Sequence, residues 1–460
     1  MRRIFPSTFT IAILLTILTF LLALLLTDPV DPVQSLNPVH KEVVSDPPSN
    51  SDNHFVQLLG FWYTGLWNTG LMAFAVQMML ILVLGHVLAS TAVFRKIIDN
   101  VLVWCTNTAR AALLVTFFTV LVSSFNWGLG LIFGAIFARK VADRANKHHI
   151  AINYPLIGAA GYSGLMVWHG GISGSAPLKV AEAGHFLSLT GKDIPPVDFS
   201  QTIFSEMNLV VSLVILLVLP GAMYLLGKKN PESESPELSE RTTKTPDKPR
   251  VIRGAEKIDY AKYIGITLGL ALIVFAVYKA TMTGSLAVVD PNYLNFVLLG
   301  LGLIFSGTIA GFLKNVKDAM GAAAGILIQF PLYFGIMGIM KYSGLVEIFS
   351  GFLMDISNET TFPLFTFMSA GFVNVFVPSG GGQWAVQGPI IVEAAQNLNI
   401  PLGKAIMALA YGDQITNMLQ PFWALPLLGI TGLKAKDIIP YTLFLMIIGM
   451  ILFLTALVIF

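Results

Sequence analysis

A single carboxylate, Asp413, lies in an apolar stretch of the chain and is followed by Gln414, Thr416, Asn417 and Gln420. An ionisable side chain in an apolar segment is costly to bury and is by default a candidate functional residue. The last three polar residues follow Asp413 by three, four and seven positions, so a continuous helix would place them on one stripe. We predict that Asp413 binds a proton or a Na⁺ ion, the latter together with Asn417. The alternatives are a helix-capping aspartate and an ion pair with a basic residue.

A glycine-rich run interrupts another apolar stretch, and it reads Trp168-His169-Gly170-Gly171-Ile172-Ser173-Gly174-Ser175-Ala176-Pro177. Its glycines and its proline disfavour a continuous helix. A break here would expose backbone carbonyls and two helix ends, which can coordinate a cation or a carboxylate. The predicted site residues of this run are Trp168, His169, Gly170, Gly171 and Ser173. For His169 two interpretations remain open, a proton carrier and a hydrogen-bonded structural residue.

Two further polar segments occur about 250 residues apart, and they read Ser123-Ser124-Phe125-Asn126-Trp127-Gly128 and Pro378-Ser379-Gly380-Gly381-Gly382-Gln383. Backbone amides in such segments can converge on an anion, and a helix that follows adds its positive dipole end. We expect the second of these helices to begin near Trp384. The predicted ligand-facing residues are Asn126, Trp127, Gly128, Ser379, Gly380, Gly381, Gly382 and Gln383. The alternatives are helix packing for the two serines and an ordinary external turn for the second segment.

The charge and the aromatic content of these four segments indicate the kind of substrate. No Arg or Lys lies centrally in them, so amides, hydroxyls and helix dipoles would have to hold an anion. Aromatic residues adjoin the polar positions, namely Trp127, Trp168, Trp384, Phe422 and Trp423. We therefore predict a substrate with one carboxylate and a short hydrocarbon tail. A dicarboxylate or another organic anion is the alternative.

The composition requires these segments to lie in a membrane protein. The chain has 460 residues, of which 55% are hydrophobic and 12% are charged. A soluble protein carries about 25% charged residues. A net charge of +2 gives no indication of a nucleic-acid partner, and we predict none. The single cysteine excludes an internal disulfide, and we predict no cofactor other than H⁺ or Na⁺ as a coupling ion.

Hydropathy divides the chain into candidate membrane spans. They are expected at 7–27, 71–92, 155–180, 206–227, 260–279, 293–313, 320–340, 402–430 and 439–460, with two apolar hairpins at 111–142 and 362–398. We interpret the first span as a retained helix rather than a signal peptide. The predicted organisation is an N-terminal helix and polar external loop (1–55), a first repeat (56–227), a cytoplasmic linker (228–258) and a second repeat (259–460).

The distribution of basic residues predicts the orientation. With the N-terminus in the cytoplasm, 22 of the 28 Lys and Arg residues lie in cytoplasmic stretches and 6 lie outside. Positively charged loops favour the cytoplasmic side. On this orientation the two hairpins enter the membrane from opposite sides. We predict an all-α polytopic membrane protein, an inverted repeat with two re-entrant hairpins and two interrupted helices. Two full crossings per hairpin are the alternative.

The same segments resemble the AtoE-type short-chain fatty acid transporter family, which belongs to a broader ion transporter superfamily. The resemblance runs from about residue 57 to the C-terminus and is most distinctive at Val377-Pro378-Ser379-Gly380-Gly381-Gly382-Gln383-Trp384-Ala385-Val386-Gln387-Gly388-Pro389. It implies cation-coupled uptake of acids such as butyrate or acetoacetate by an elevator-like movement. It also implies a location in the cytoplasmic (inner) membrane of a bacterium, and by analogy a homodimer.

An enzyme and a channel are the alternatives to a carrier. An intramembrane enzyme could use His169 as a base and Ser173 or Ser175 as a nucleophile, but the sequence indicates no third group that would orient the base, and an inverted duplication has no use in a hydrolase. A channel is the other alternative. We therefore predict a transporter and not an enzyme.

Overall fold

The computed structural model describes residues 7–29, 53–231, 254–283, 288 and 291–460. The secondary structure of these residues is helical, without a β-strand, which confirms the all-α prediction. Most of the predicted external loop and most of the predicted linker lie outside the described residues, at 30–52 and 232–253.

The α-helices of the described chain are numbered in order. They are α1 (Thr8–Leu26), α2 (His54–Leu66), α3 (Thr69–Ala89), α4 (Ala92–Leu102), α5 (Thr108–Phe125), α6 (Trp127–Lys147), α7 (Tyr154–Tyr162), α8 (Ser175–Val180), α9 (His185–Thr190), α10 (Glu206–Lys229), α11 (Glu256–Asp259), α12 (Lys262–Thr283), α13 (Pro291–Ser306), α14 (Ile309–Tyr342), α15 (Leu345–Asp355), α16 (Phe362–Phe376), α17 (Gly380–Asn397), α18 (Leu402–Thr416), α19 (Pro421–Thr431) and α20 (Ala435–Ile459). Short 3₁₀ turns follow α7 at Ser163–Met166 and α18 at Asn417–Leu419.

Seven helical segments of the described chain are long and apolar enough to cross a membrane. They are Thr8–Leu26, Thr69–Leu88, Thr108–Phe125, Glu206–Lys229, Lys262–Thr283, Ala323–Tyr342 and Ala435–Ile459. A crossing takes about 20 residues, because the hydrocarbon core is roughly 30 Å thick and a helix rises about 1.5 Å per residue. A helix also satisfies its backbone hydrogen bonds internally, which the interior of a bilayer requires.

Three predicted spans are divided in the structure, and the one predicted at 155–180 is split into α7 and α8. The span predicted at 293–313 breaks after α13, where Gly307 has a φ of 75°. This conformation favours glycine. The Thr308 hydroxyl oxygen then accepts the N–H of Gly311 at 3.0 Å, which starts the 34-residue helix α14.

The span predicted at 402–430 ends its first helix at Thr416, so the prediction of one continuous polar stripe from Asp413 to Gln420 is wrong. Pro421 causes the break, because proline lacks an N–H and keeps the residue before it out of the helical region. Gln420 accordingly has extended backbone angles, φ −88° and ψ 119°.

Two series of helices follow the same order along the chain. The first series is a long helix (α3), an 11-residue helix (α4), a two-helix hairpin (α5 and α6), an interrupted helix (α7 and α8) and a long helix (α10). The second series repeats this order with α14, the 11-residue α15, the hairpin α16 and α17, the interrupted α18 and α19, and α20. The second part of each interrupted helix packs against the other series, α19 on α6 and α8 on α17.

Contacts near the two ends of α10 locate the bases of the two hairpins. Directly after its C-terminal end, the carbonyl of Pro231 accepts the hydroxyl of Thr108, the first residue of α5, at 2.9 Å. Shortly before its N-terminal end, the backbone of Gln201 packs against Gly403, which follows α17 in the chain. The 24 residues of α10 span about 36 Å at 1.5 Å per residue. The bases of the two hairpins therefore lie at opposite ends of α10.

Candidate substrate and ion site

The residues between the 3₁₀ turn that follows α7 and the start of α8 form a loop, residues 167–174, which is the centre of the candidate site. The loop packs closely against the end of α5. The N–H of Ile172 donates to the carbonyl of Ser124 at 2.9 Å. A Cβ added to Gly171 would come within 2.6 Å of that same carbonyl oxygen, so the close approach requires glycine.

A histidine of this loop pairs with the carboxylate of α18. His169 Nδ1 lies 2.6 Å from Asp413 Oδ2, and both residues are 0% exposed. The two residues are 244 positions apart in the sequence. Asp413 is therefore partnered by an imidazole of the other series, and the capping alternative does not describe it.

The second nitrogen of the imidazole identifies the tautomer that the structure favours. The N–H of Ala176 donates to His169 Nε2 at 3.1 Å, so this nitrogen acts as an acceptor and carries no proton. The proton of the neutral ring then lies on Nδ1 and is donated to Asp413. Within the described chain the other oxygen of this carboxylate, Oδ1, is buried and has no hydrogen-bond partner.

Two amide side chains hold the loop in place. Gln414 Oε1 accepts the N–H of His169 at 2.9 Å and the N–H of Gly170 at 3.1 Å. From α10, Asn208 Nδ2 donates to the carbonyl of Gly170 at 2.8 Å, and Asn208 Oδ1 accepts the hydroxyl of Tyr411 at 2.9 Å. The loop is thereby attached to α18 on one side and to α10 on the other.

The tip of the first hairpin also contacts this loop. Asn126 caps α6, because its Oδ1 accepts the N–H of Leu129 at 2.9 Å. The N–H of Trp127 donates to the Ser173 hydroxyl at 3.0 Å. Gly128 faces Ile81 and Leu294, on α3 and α13, and not the loop.

The second hairpin approaches the same loop with the start of α17. This helix begins at Gly380 and not near Trp384, because Ser379 caps it by accepting the N–H of Gly382 at 3.2 Å. A Cβ on Gly380 would lie 2.7 Å from both His169 Cε1 and the ring of Trp168. The tips of both hairpins therefore meet at the 167–174 loop.

The other residues of the second tip point elsewhere. A Cβ on Gly381 would be an ordinary 3.8 Å from Ser175, and one on Gly382 would be 3.1 Å from Met337. Gln383 Nε2 donates to the carbonyl of Ala370 at 2.8 Å and to Gln387 at 2.7 Å, both within the hairpin. The Gln383 amide nitrogen is thus committed to the packing of α16 against α17.

The break between α18 and α19 is organised by Asn374 of α16, a buried residue that the sequence prediction did not include. Its Nδ2 lies 2.6 Å from the carbonyl of Asp413, 3.0 Å from the Thr416 hydroxyl and 2.9 Å from Asn417 Oδ1. Gln420 Nε2 donates back to the carbonyl of Asn374 at 2.7 Å. The four polar residues predicted at 413–420 therefore do converge, although on Asn374 and not along one helical stripe.

Aromatic rings wall one side of this arrangement. The ring centroid of Trp127 lies 5.1 Å from that of Trp423 and 6.0 Å from that of Trp168. Trp168 is stacked on His169 at 4.5 Å. The wall continues to Phe422, whose ring stacks on Phe330 of α14 at 4.0 Å. In the described chain the indole N–H of Trp168 is buried without an acceptor, so a donor is available where this wall meets the loop.

Three buried residues outside the predicted set complete the site, namely Asn208, Asn374 and Gln414. The signal that could have indicated them is the same for each, an amide side chain within an apolar stretch. Among the described residues no three His, Cys, Asp or Glu side chains lie close enough to hold a metal ion together. A cation at Asp413 would be held by this carboxylate with neutral oxygen ligands.

The helices that can cross a membrane and the polar site buried between helix breaks define a multi-pass membrane transport protein. The chain matches the family model described as "Short chain fatty acid transporter" over residues 1–460. The chain belongs to the short-chain fatty acid transporter family, and it is a transport protein rather than an enzyme.

Two relatives support this membership. A protein of Escherichia coli (strain K12), named as a candidate short-chain fatty acid transporter, is 34% identical over 462 residues, which cover 100% of this chain and 97% of the relative. A protein of Haemophilus influenzae (strain ATCC 51907 / DSM 11121 / KW20 / Rd) with the same name is 35% identical over 446 residues, 95% of this chain and 92% of the relative.

Two solved structures are similar at a lower level. Neisseria gonorrhoeae MtrF, from a class of antimetabolite efflux pumps, has a TM-score of 0.43 and 14% identity, with 98% of this chain and 95% of that chain covered. The Alcanivorax borkumensis YdaH transporter has a TM-score of 0.41 and 15% identity, with 97% of each chain covered.

Proposed function

We propose that this protein is a secondary active carrier that moves short-chain monocarboxylates, such as butyrate or acetoacetate, together with H⁺ or Na⁺. The observation that supports this function best is the buried Asp413 carboxylate with one hydrogen-bonded oxygen and one oxygen without a partner. A buried carboxylate that is paired with only a neutral imidazole is costly. Binding of a proton or of Na⁺ at the free oxygen removes that cost. The energy of the buried site therefore depends on whether a cation is bound.

The acid itself would bind where the loop, the start of α17 and the aromatic wall meet. The first amides of a helix have no partner within the helix and attract an anion. At α17 these amides belong to Gly380 and Gly381, since that of Gly382 is capped by Ser379. The Trp168 indole supplies a further donor, and the ring of Trp127 supplies an apolar surface for a short tail. One polar end and one apolar wall favour a monocarboxylate over a dicarboxylate.

The movement that we propose is an elevator-like shift of a domain that contains both hairpins, in an inverted repeat with re-entrant hairpins. The equal order of the two helix series and the position of the hairpin bases at opposite ends of α10 support the inversion. We place the protein in the inner membrane of a bacterium, with a cytoplasmic N-terminus and with a homodimer as its assembly.

Uptake into proteoliposomes tests the proposed function. We expect saturable uptake of labelled butyrate, driven by an imposed pH gradient or by a Na⁺ gradient, and competition by monocarboxylates from acetate to hexanoate. Protein-free liposomes measure the diffusion of the protonated acid through lipid and must be subtracted. Stronger competition by succinate would indicate a dicarboxylate carrier. Flux that neither saturates nor responds to an ion gradient would indicate a channel.

The orientation is tested by labelling single introduced cysteines with a membrane-impermeant thiol reagent. The native Cys105 should not interfere, since burial raises the pKa of its thiol to about 12 and the thiolate is the reactive form. Lys229→Cys, at the end of α10, should be labelled only from the cytoplasm. Lys192→Cys, in the segment before α10, should be labelled only from outside. The reverse pattern would overturn the orientation.

A further inference from the structure

A cavity of about 140 Å³ lies at the ends of α3, α6 and α19, away from the candidate site. Its charged lining consists of Arg139, Lys140 and Asp143, all on α6, and His86 and Ser90 at the end of α3 supply the other polar groups. Two isoleucines, Ile136 and Ile430, supply the apolar part of the lining. Two cations against one carboxylate leave an excess of positive charge beside an apolar surface.

The guanidinium of Arg139 is fixed at this cavity by contacts on two sides. Its Nε donates to Asp143 Oδ1 at 3.0 Å, and its Nη1 donates to the carbonyl of Thr431, at the end of α19, at 3.3 Å. A guanidinium has five N–H donors, so donors remain for another acceptor. Lys140 forms no ion pair with any of the described residues.

Two helices, α6 and α19, run from the candidate site to the cavity. Trp127 and Arg139 lie on the same helix, 12 residues or about 18 Å apart at 1.5 Å per residue. Alongside, α19 runs from Trp423 in the aromatic wall to Thr431 at the cavity. The hydroxyl of Tyr154, the first residue of α7, also donates to the Thr431 carbonyl, at 2.8 Å. The cavity is thus at the end of the molecule that holds the base of the first hairpin.

We propose that this cavity is a second anion site, which binds a small monocarboxylate between Arg139 and Lys140 with its alkyl part against Ile136 and Ile430. A carboxylate is favoured over an inorganic anion because the lining combines cations with apolar side chains. The volume has room for four or five water-sized groups at about 30 Å³ each. Acetate and propionate fit this volume, whereas a drug-sized ligand takes about 300 Å³ or more. The existence of this anion site does not depend on the proposed function. Only the claim that its ligand is the transported acid rests on the proposed function.

Protection of Lys140 from chemical modification tests the second site. The purified protein is reductively methylated with formaldehyde, a small uncharged reagent, and each lysine is followed by peptide mass spectrometry. Propionate is titrated against chloride at constant ionic strength. We expect propionate to slow methylation of Lys140 several-fold, and chloride to have no such effect. The matched control is Lys147, exposed on the same helix, whose rate should not change.

Two variants make the assignment specific. Arg139→Gln removes the fixed cation, and Ile136→Phe fills the cavity while the charges stay; both should abolish the protection by propionate. Protection that persists in both variants, or that chloride gives equally well, would overturn the proposal. In Asp413→Asn protein the protection should be retained. If wild-type protein shows protection but no butyrate uptake, the proposed function fails and the anion site stands.

Discussion

Proteoliposomes with Asp413→Asn protein are expected to lose gradient-driven butyrate uptake, with initial rates that fall to the level of protein-free liposomes. The amide oxygen of asparagine can still accept the proton of His169 Nδ1, so the loop contact at 2.6 Å need not break. What the substitution removes is the charge that attracts H⁺ or Na⁺. A hydrogen bond to a charged group contributes about 1.5–3 kcal/mol, which corresponds to a loss of roughly 10- to 100-fold in cation affinity.

The matched control for this variant is Asp193→Asn, which makes the same change at an exposed carboxylate in the segment between α9 and α10. Its uptake should equal that of the wild type. Both proteins should elute as the wild type does in size-exclusion chromatography, which separates loss of transport from loss of folding. Full uptake by Asp413→Asn that still depends on the same ion gradient would show that this carboxylate does not bind the coupling ion.

Gly380→Ala is expected to reduce butyrate uptake by roughly 5- to 140-fold, whereas Gly381→Ala should stay within about twofold of the wild type. The added methyl group at Gly380 would lie 2.7 Å from His169 Cε1 and from the ring of Trp168, so the imidazole or the indole beside it would have to shift. At Gly381 the nearest atom would be 3.8 Å away, an ordinary contact. Overpacking of this kind costs typically 1–3 kcal/mol, and each 1.4 kcal/mol is a factor of about ten.

The two alanines differ by one position in the first turn of the same helix, so their effects on helix propensity should be nearly equal. Uptake kinetics at several butyrate concentrations would distinguish a raised KM from a lowered maximal rate. Equal activity of the two variants would show that the contact between α17 and the loop is not needed for transport. A larger loss at Gly381 would instead indicate that the added methyl group obstructs the acid, whose carboxylate we propose to lie at the Gly380 and Gly381 amides.

The sequence predicted the helical class and the polar segments of this protein, because helix breaks have local causes. Pro421 ends one helix, and the glycines of the 167–174 loop interrupt another, whatever packs around them. The pairing of His169 with Asp413 could not be predicted in this way. Each residue was a candidate on its own, but 244 positions separate them and only the packing of the two series brings them together.

Packing also explains the residues whose predicted and observed positions differ. Gln383 and Gly128 have the residue types of a ligand site. However, the Gln383 side chain is bonded within its own hairpin, and Gly128 faces α3 and α13. Asn374 was missed because a lone amide within an apolar helix gives only a weak local signal. Gly380 and Gly381 are the same residue type, and only the positions of Trp168 and His169 distinguish them.

The contact between His169 and Asp413 makes each helix series dependent on the other. Each helix series contributes only one member of this pair, and Gln414 and Tyr411 of the second series likewise bond to the loop and to Asn208 of the first series. A polypeptide that corresponded to half of this chain could not build the imidazole–carboxylate contact alone. Two polypeptides produced by dividing the chain between the series would have to associate before either could hold this buried pair.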